Sequence, residues 1–287
     1  MFEKAPILVT GATGTVGREV VRLLVAGGHP VRVTSRGDVA DSLPQIETVF
    51  LDLQQRDSFK LALEGVERVF FSMPLAENMV DVAGWFIAAA RDAGVRHVVR
   101  LSAFGVDREP PLELARVHGE VEKLLRDSEM EWTVLRPNSF MQNFISYCAA
   151  SIREQAAFYI PQGNGRVSMV DVRDIAAVAT KALIETGHAG KVYELTGPEA
   201  LDNHAVAAHL SSVLGSEIHY VDASSTETRH ALQSAGMPTW LVTVLMELYE
   251  YSRNGHAAGI TETVSSVVGR NPKTFVEFAQ DFADCFR

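Results

Sequence analysis

Apolar and polar positions along the chain alternate between two periods. Short apolar runs at residues 6–9, 31–34, 47–51, 68–72, 95–102 and 132–137 have the length of buried strands. Between them, Val16, Val20, Leu23 and Leu24, and the segments 58–63, 80–93 and 113–127, carry apolar residues at helical spacing. Gly27-Gly28-His29-Pro30 and Gly94 stop two of these helices. Strand and helix alternating in this way predict an α/β chain of the Rossmann type, a doubly wound parallel sheet. Beyond Pro137 the pattern predicts a strand and turn at 158–165, and a helix starting at 170–179 with Asp174 available as its cap. Strands at 191–195 and 217–221, a helix at 204–214, and helical residues 223–255 broken at Met237-Pro238 follow. The division expected is a nucleotide-binding domain over 1–150, a mixed segment 151–196 that returns to it, and a small C-terminal α/β substrate lobe over 197–287.

The first strand opens directly into Thr10-Gly11-Ala12-Thr13-Gly14-Thr15-Val16-Gly17. A helix that begins at such a turn presents unpaired N–H groups and the positive end of its dipole, which suits a pyrophosphate. Gly11 permits the turn, Gly14 the approach of a ligand and Gly17 the packing of helix on strand. Gly-x-x-Gly-x-x-Gly is the short-chain dehydrogenase form of the dinucleotide fingerprint, so Gly11, Thr13, Gly14, Thr15, Val16 and Gly17 are cofactor-binding candidates.

Composition narrows the partners. The 287 residues carry 26 basic and 36 acidic side chains, a net charge of −10, which argues against sequence-independent nucleic-acid binding and against an anionic membrane surface. Two distant cysteines, Cys148 and Cys285, with no ligand-bearing neighbours indicate neither a disulfide framework nor a metal site. No signal segment or membrane span is visible, so a cytoplasmic protein acting on a small molecule is expected, with a homodimer left open as the assembly state.

In a parallel sheet of this kind ligands lie at the carboxyl ends of the strands. The second strand ends in Thr34-Ser35-Arg36 where NAD-binding chains place an acidic residue, so Ser35 and Arg36 point to the 2′-phosphate of NADP(H) in preference to NAD(H), although Asp38 is close by. Asp52 and Leu53 follow the third strand, at the edge expected to face adenine. Ser72, Met73 and Pro74 end the fourth strand, near the pyrophosphate and nicotinamide ribose. For both groups an ordinary strand-terminating turn is an equal alternative. Ser102 ends the fifth strand, placed for chemistry or as a turn residue.

Taken together, the glycine turn, Asp52, His118-x-x-Val-Glu122-x-x-Leu125, the 132–137 strand, and Asn138-Ser139-Phe140-Met141-Gln142-Asn143-Phe144 resemble the NmrA-like branch of atypical short-chain dehydrogenases. Within that branch the chain looks closest to bacterial NAD(P)H-dependent triphenylmethane and quinone reductases, through residues 114–118, Thr261-Glu262-Thr263 and residues 269–275. The resemblance implies cofactor contacts from Pro137, Asn138 and His118. It also puts Leu114 and His118 where typical short-chain dehydrogenases carry tyrosine and lysine, so the tyrosine–lysine mechanism is not expected. His118 is then either a hydrogen-bond donor to the nicotinamide ribose, a general acid, or a structural histidine.

Phe104, Phe140, Met141 and Phe144 are candidates for a flat hydrophobic substrate pocket, and core packing explains the same residue types. Two functions remain open. One is an NADPH-dependent reductase passing hydride to a hydrophobic conjugated or cationic acceptor of the quinone, imine or dye kind, catalytic residues His118 and Ser102. The other is a non-catalytic redox sensor that binds NAD(P).

Overall fold

The computed structural model describes residues 5–36, 46–108 and 112–287, so Asp38 lies outside the described residues. The chain forms two compact units, Met1–Arg136 with Ile175–Tyr193, and Pro137–Asp174 with Glu194–Arg287. The cuts therefore fall at 136, 174 and 193, where the sequence pattern placed them at 150 and 196.

The strands of the main sheet are β1 (Ile7–Val9), β2 (Val31–Ser35), β3 (Ile46–Phe50), β4 (Arg68–Phe71), β5 (His97–Leu101), β6 (Glu131–Pro137) and β8 (Lys191–Leu195). Their order is β3-β2-β1-β4-β5-β6-β8, with parallel pairing across β3-β2-β1-β4-β5-β6. Chain order reverses between β1 and β4, the switch point at which doubly wound sheets bind ligands. Alternation along the strands sends Leu8, Val69, Phe71 and Val98 into a core with Phe59 and Leu63 of α2 (Asp57–Leu63). The same core takes Ala83 and Phe86 of α3 (Met79–Asp92), and Val121 and Leu125 of α4 (Glu113–Arg126). The intervening residues Ile7, Val9, Val31, Phe70 and Val99 are buried on the opposite face, where α1 (Thr15–Ala26) packs with Val16, Val20 and Leu24. Helix α6 (Val172–Ile184) joins this unit from Ile175 onward.

The second unit has a two-stranded parallel sheet, β7 (Ala157–Tyr159) with β9 (His219–Val221), and the helices α5 (Ala149–Gln155), α7 (Asn203–Leu214), α8 (Ser225–Ser234), α9 (Thr239–Arg253), α10 (Thr263–Val268) and α11 (Phe275–Asp281). Its core is aromatic: Phe144 meets the edges of Phe158 and Phe275, each with centroids 5.4 Å apart. Helix α6 differs from expectation at its start. Asp171 accepts the Arg173 N–H at 2.8 Å and so does the capping, while Asp174 lies in the first turn, where it accepts the Lys273 N–H at 2.7 Å and pairs with Arg270. Among the described residues no helix is long and apolar enough to cross a membrane.

Candidate active site

The glycine turn lies at the switch point. Gly11 has φ +63°, which favours glycine, and the Gly14 N–H donates to the Gly11 carbonyl at 2.9 Å. Thr10 closes the turn from below: its hydroxyl donates to the Ser72 carbonyl at 2.7 Å and accepts the Ser72 N–H at 2.9 Å, tying the ends of β1 and β4 together. A Cβ at Gly17 would stand 2.2 Å from the Gly11 carbonyl oxygen, so only glycine lets α1 come this close. A Cβ at Gly14 would be 3.2 Å from the same oxygen, a tight but mild contact. Helix α1 starts at Gly14 with no side-chain cap and no acidic residue in its first turn. Its first N–H groups therefore have no partner within the helix, and Thr13, Gly14 and Thr15 are exposed around them while Val16 and Gly17 are buried. A dinucleotide pyrophosphate fits this cradle in charge, in donors and in the room that the missing Cβ leaves.

Ser35 ends β2 half-buried, and Arg36 follows it exposed. Asp52 is half-buried and bound locally: it accepts the Gln54 N–H at 3.0 Å and the Gln55 amide at 2.7 Å, while Leu53 leans on the core. Ser72 and Met73 are half-buried and Pro74 is exposed at the end of β4.

Ser102 is buried and gives its hydroxyl hydrogen to Glu122 Oε1 at 2.5 Å. Glu122, itself fully buried, is gripped by Arg136 at 2.9 Å and 2.6 Å and by Arg126 at 2.8 Å, and Arg136 also binds Asp107. This network ties α4 to the ends of β5 and β6, and sets His118, one turn before Glu122, on the same helix face. His118 is partly buried with its Nδ1 wholly so, and Nδ1 has no hydrogen-bond partner among the described residues. Burial, with the nearby Arg100 charge adding to it, pushes the imidazole down to about 3. Arg100 is itself fully buried, its guanidinium 5.0 Å from the centre of the Phe71 ring, and burial brings it down to about 10.

Phe104 is buried at the start of the loop after β5, with the Arg108 guanidinium 4.4 Å above its ring. In the second unit, Pro137 is buried, and the Asn138 amide donates to the Ala257 carbonyl and the Ser168 hydroxyl at 2.9 Å each. Met141 and Phe144 lie in the core, whereas Phe140 is half-buried. The residues that sequence reasoning left aside are Thr10, Arg100 and Arg136. A charge inside the apolar strands 97–101 and 131–137 was the available signal for the two arginines.

Residues 3–279 match the NmrA-like family. An NAD(P)H azoreductase of Xenophilus azovorans is 39% identical over 284 residues, 98% of this chain and 99% of that protein. The crystal structure of an NADPH-dependent quinone oxidoreductase of Escherichia coli complexed with NADPH has a TM-score of 0.84 at 29% identity, over 96% of this chain and 99% of that one. Triphenylmethane reductase of Citrobacter sp. complexed with NADP(H) has a TM-score of 0.82 at 25% identity, with the same coverage. With the glycine turn at the switch point and a family match over nearly its whole length, this chain belongs to the NmrA-like family.

Proposed function

We propose that the protein is an NADPH-dependent oxidoreductase that passes hydride to a hydrophobic, conjugated or cationic small molecule such as a quinone, an azo or imine compound, or a dye. The observation that carries this reading is the uncapped α1 N-terminus behind a glycine turn that no Cβ fills. The azoreductase and quinone oxidoreductase relatives supply the reaction class. Bound NADPH would supply the hydride. Backbone N–H groups of Thr15, Val16 and Gly17 would hold the pyrophosphate, Arg36 and Ser35 would take the 2′-phosphate, and His118 would donate a hydrogen bond to the nicotinamide ribose.

We assign Ser102 to positioning. Its hydroxyl hydrogen is held by Glu122, so it steadies the Glu122–Arg136 pair that carries α4. Phe140, half-buried after Pro137, is the aromatic candidate for substrate contact, while Met141 and Phe144 belong to the core of the second unit. No tyrosine is present in α4, and a histidine held neutral does not protonate a product at neutral pH. Acceptors that spread the incoming charge, with water as proton source, fit such a centre. The two cysteines are free, in keeping with a cytoplasmic setting.

An α4 without a tyrosine acid also favours a second reading, a redox sensor that binds NADPH without turnover. Stopped-flow oxidation of bound NADPH against quinones, azo dyes, imines and aldehydes separates the two. Turnover with a conjugated acceptor supports the reductase, and binding without oxidation of any acceptor supports the sensor.

A further inference from the structure

Two neighbouring groups in the first unit are buried without hydrogen-bond partners among the described residues: Nε and Nη2 of Arg100, and Nδ1 of His118. Their placement follows from the two periods of the fold. Arg100 is two residues beyond Val98 on β5 and so faces the same side, while His118 lies one turn before Val121 on α4. Val98 and Val121 share one core cluster, so Arg100 and His118 continue that layer toward the carboxyl edge of the sheet. The Arg100 charge acts on the His118 ring.

The donor count then decides the state of the ring. A guanidinium offers only donors. A hydrogen on Nδ1 would add a third donor to a region that already has two without acceptors, beside a fixed positive charge. A lone pair on Nδ1 instead meets the charge without adding a donor, leaves room for one bridging water between the two groups, and keeps the single ring hydrogen on Nε2.

We propose that Arg100 is the positioning residue for His118: it sets the imidazole in the tautomer with its hydrogen on Nε2, and so makes His118 a fixed hydrogen-bond donor. The other charges around the helix are already engaged. Glu122 on α4 is bound by Arg136 of β6, by Arg126 and by Ser102. The loop after β5 brings Asp107, bound to Arg136, and Arg108 over the Phe104 ring. Helix α3, packed against α4, turns the uncharged Val82, Ala83 and Phe86 inward, and β4 contributes Phe71. The role given to His118 as the ribose donor rests on the reductase reading, whereas its tautomer does not.

The test is long-range proton–nitrogen correlation NMR on the full, uniformly nitrogen-15-labelled chain without cofactor, with His118→Gln used to assign the ring. The parent should show His118 as the Nε2–H tautomer throughout the neutral range. Arg100→Met should remove that preference, giving a mixture of tautomers, and should raise the pH at which the ring takes up a proton. An Nδ1–H ring in the parent overturns the proposal, and so does a folded Arg100→Met protein with the His118 tautomer unchanged. Arg100→Gln, closer in shape and polarity, is read in the same way if Arg100→Met does not fold, and an unchanged tautomer there overturns the proposal equally. Failure to oxidise NADPH would sink the reductase reading and leave this result standing.

Discussion

The glycine turn separates into a residue needed for folding and a residue needed for the ligand, and two substitutions should pull these roles apart. In Gly17→Ala the new methyl group would meet the Gly11 carbonyl oxygen at 2.2 Å and its carbon at 2.8 Å, both main-chain atoms that cannot swing aside. The helix must move off the turn, an overpacking strain of roughly 1–3 kcal/mol, from which the better helix propensity of alanine returns about 0.5–1 kcal/mol. A net loss of about 1–2 kcal/mol, at a urea m-value of roughly 3 kcal/mol/M, lowers the denaturation midpoint by about 0.3–0.7 M. Gly14 has extended backbone, φ −75° and ψ 169°, and its nearest contact for a Cβ is 3.2 Å. Gly14→Val should therefore unfold close to the parent midpoint yet bind NADPH at least about 100-fold more weakly, a loss of about 2.7 kcal/mol, because its side chain stands where the pyrophosphate must come. Urea unfolding followed by circular dichroism, and NADPH titration by fluorescence, read the two effects separately. A Gly17→Ala protein as stable as the parent would refute the packing argument, and a Gly14→Val protein that binds NADPH normally would place the cofactor elsewhere.

Arg36→Asp should weaken NADPH by about 1.5–3 kcal/mol, the value of charge-assisted hydrogen bonds, and leave NADH unchanged or improved; equal losses for both cofactors count against the 2′-phosphate assignment. His118→Gln should keep turnover with a quinone or cationic acceptor and lose modestly in NADPH affinity, whereas loss of turnover with normal cofactor binding would make His118 an essential reacting group. The same residue should appear in acid stability. Its folded pKa of about 3 lies below the value of about 6.5 for an unfolded histidine, so its contribution is complete above about pH 6.5 and is lost as the pH falls toward 3. His97, also lowered by burial, adds a slope of the same sign, so His118→Gln should flatten only part of the fall in urea midpoint on acidification. A parent midpoint that does not change across that window contradicts the burial of the ring.

The sheet and the glycine turn were legible because their signals are local. A strand, a glycine turn and an amphipathic helix occupy consecutive residues. What escaped depends on distant partners or on broken periodicity. Ser102 reads as a free strand-end hydroxyl until the fold brings it to Glu122, twenty residues on. Arg100 reads as one charge in an apolar run, and its meaning lies in the layer it shares with α4. The helical character of residues 144–155 was hidden because the segment starts as a π-helical turn, Phe144–Cys148, whose wider winding breaks the 3.6-residue pattern before α5 begins. Helix α11 carries a complete capping box, Thr274 with Glu277, which was readable in the sequence but stands beyond the alternating strand pattern that guided the reading.

The most direct measurement of the central claim is a single-turnover experiment: the protein is mixed anaerobically with one equivalent of NADPH, then with a quinone or an azo dye, and the nicotinamide absorbance is followed together with that of the acceptor. The account predicts that NADPH is consumed in step with two-electron reduction of the acceptor, and that Gly14→Val abolishes the reaction at the same cofactor concentration. Tight NADPH binding with no oxidation by quinones, azo dyes, imines or cationic dyes would contradict it.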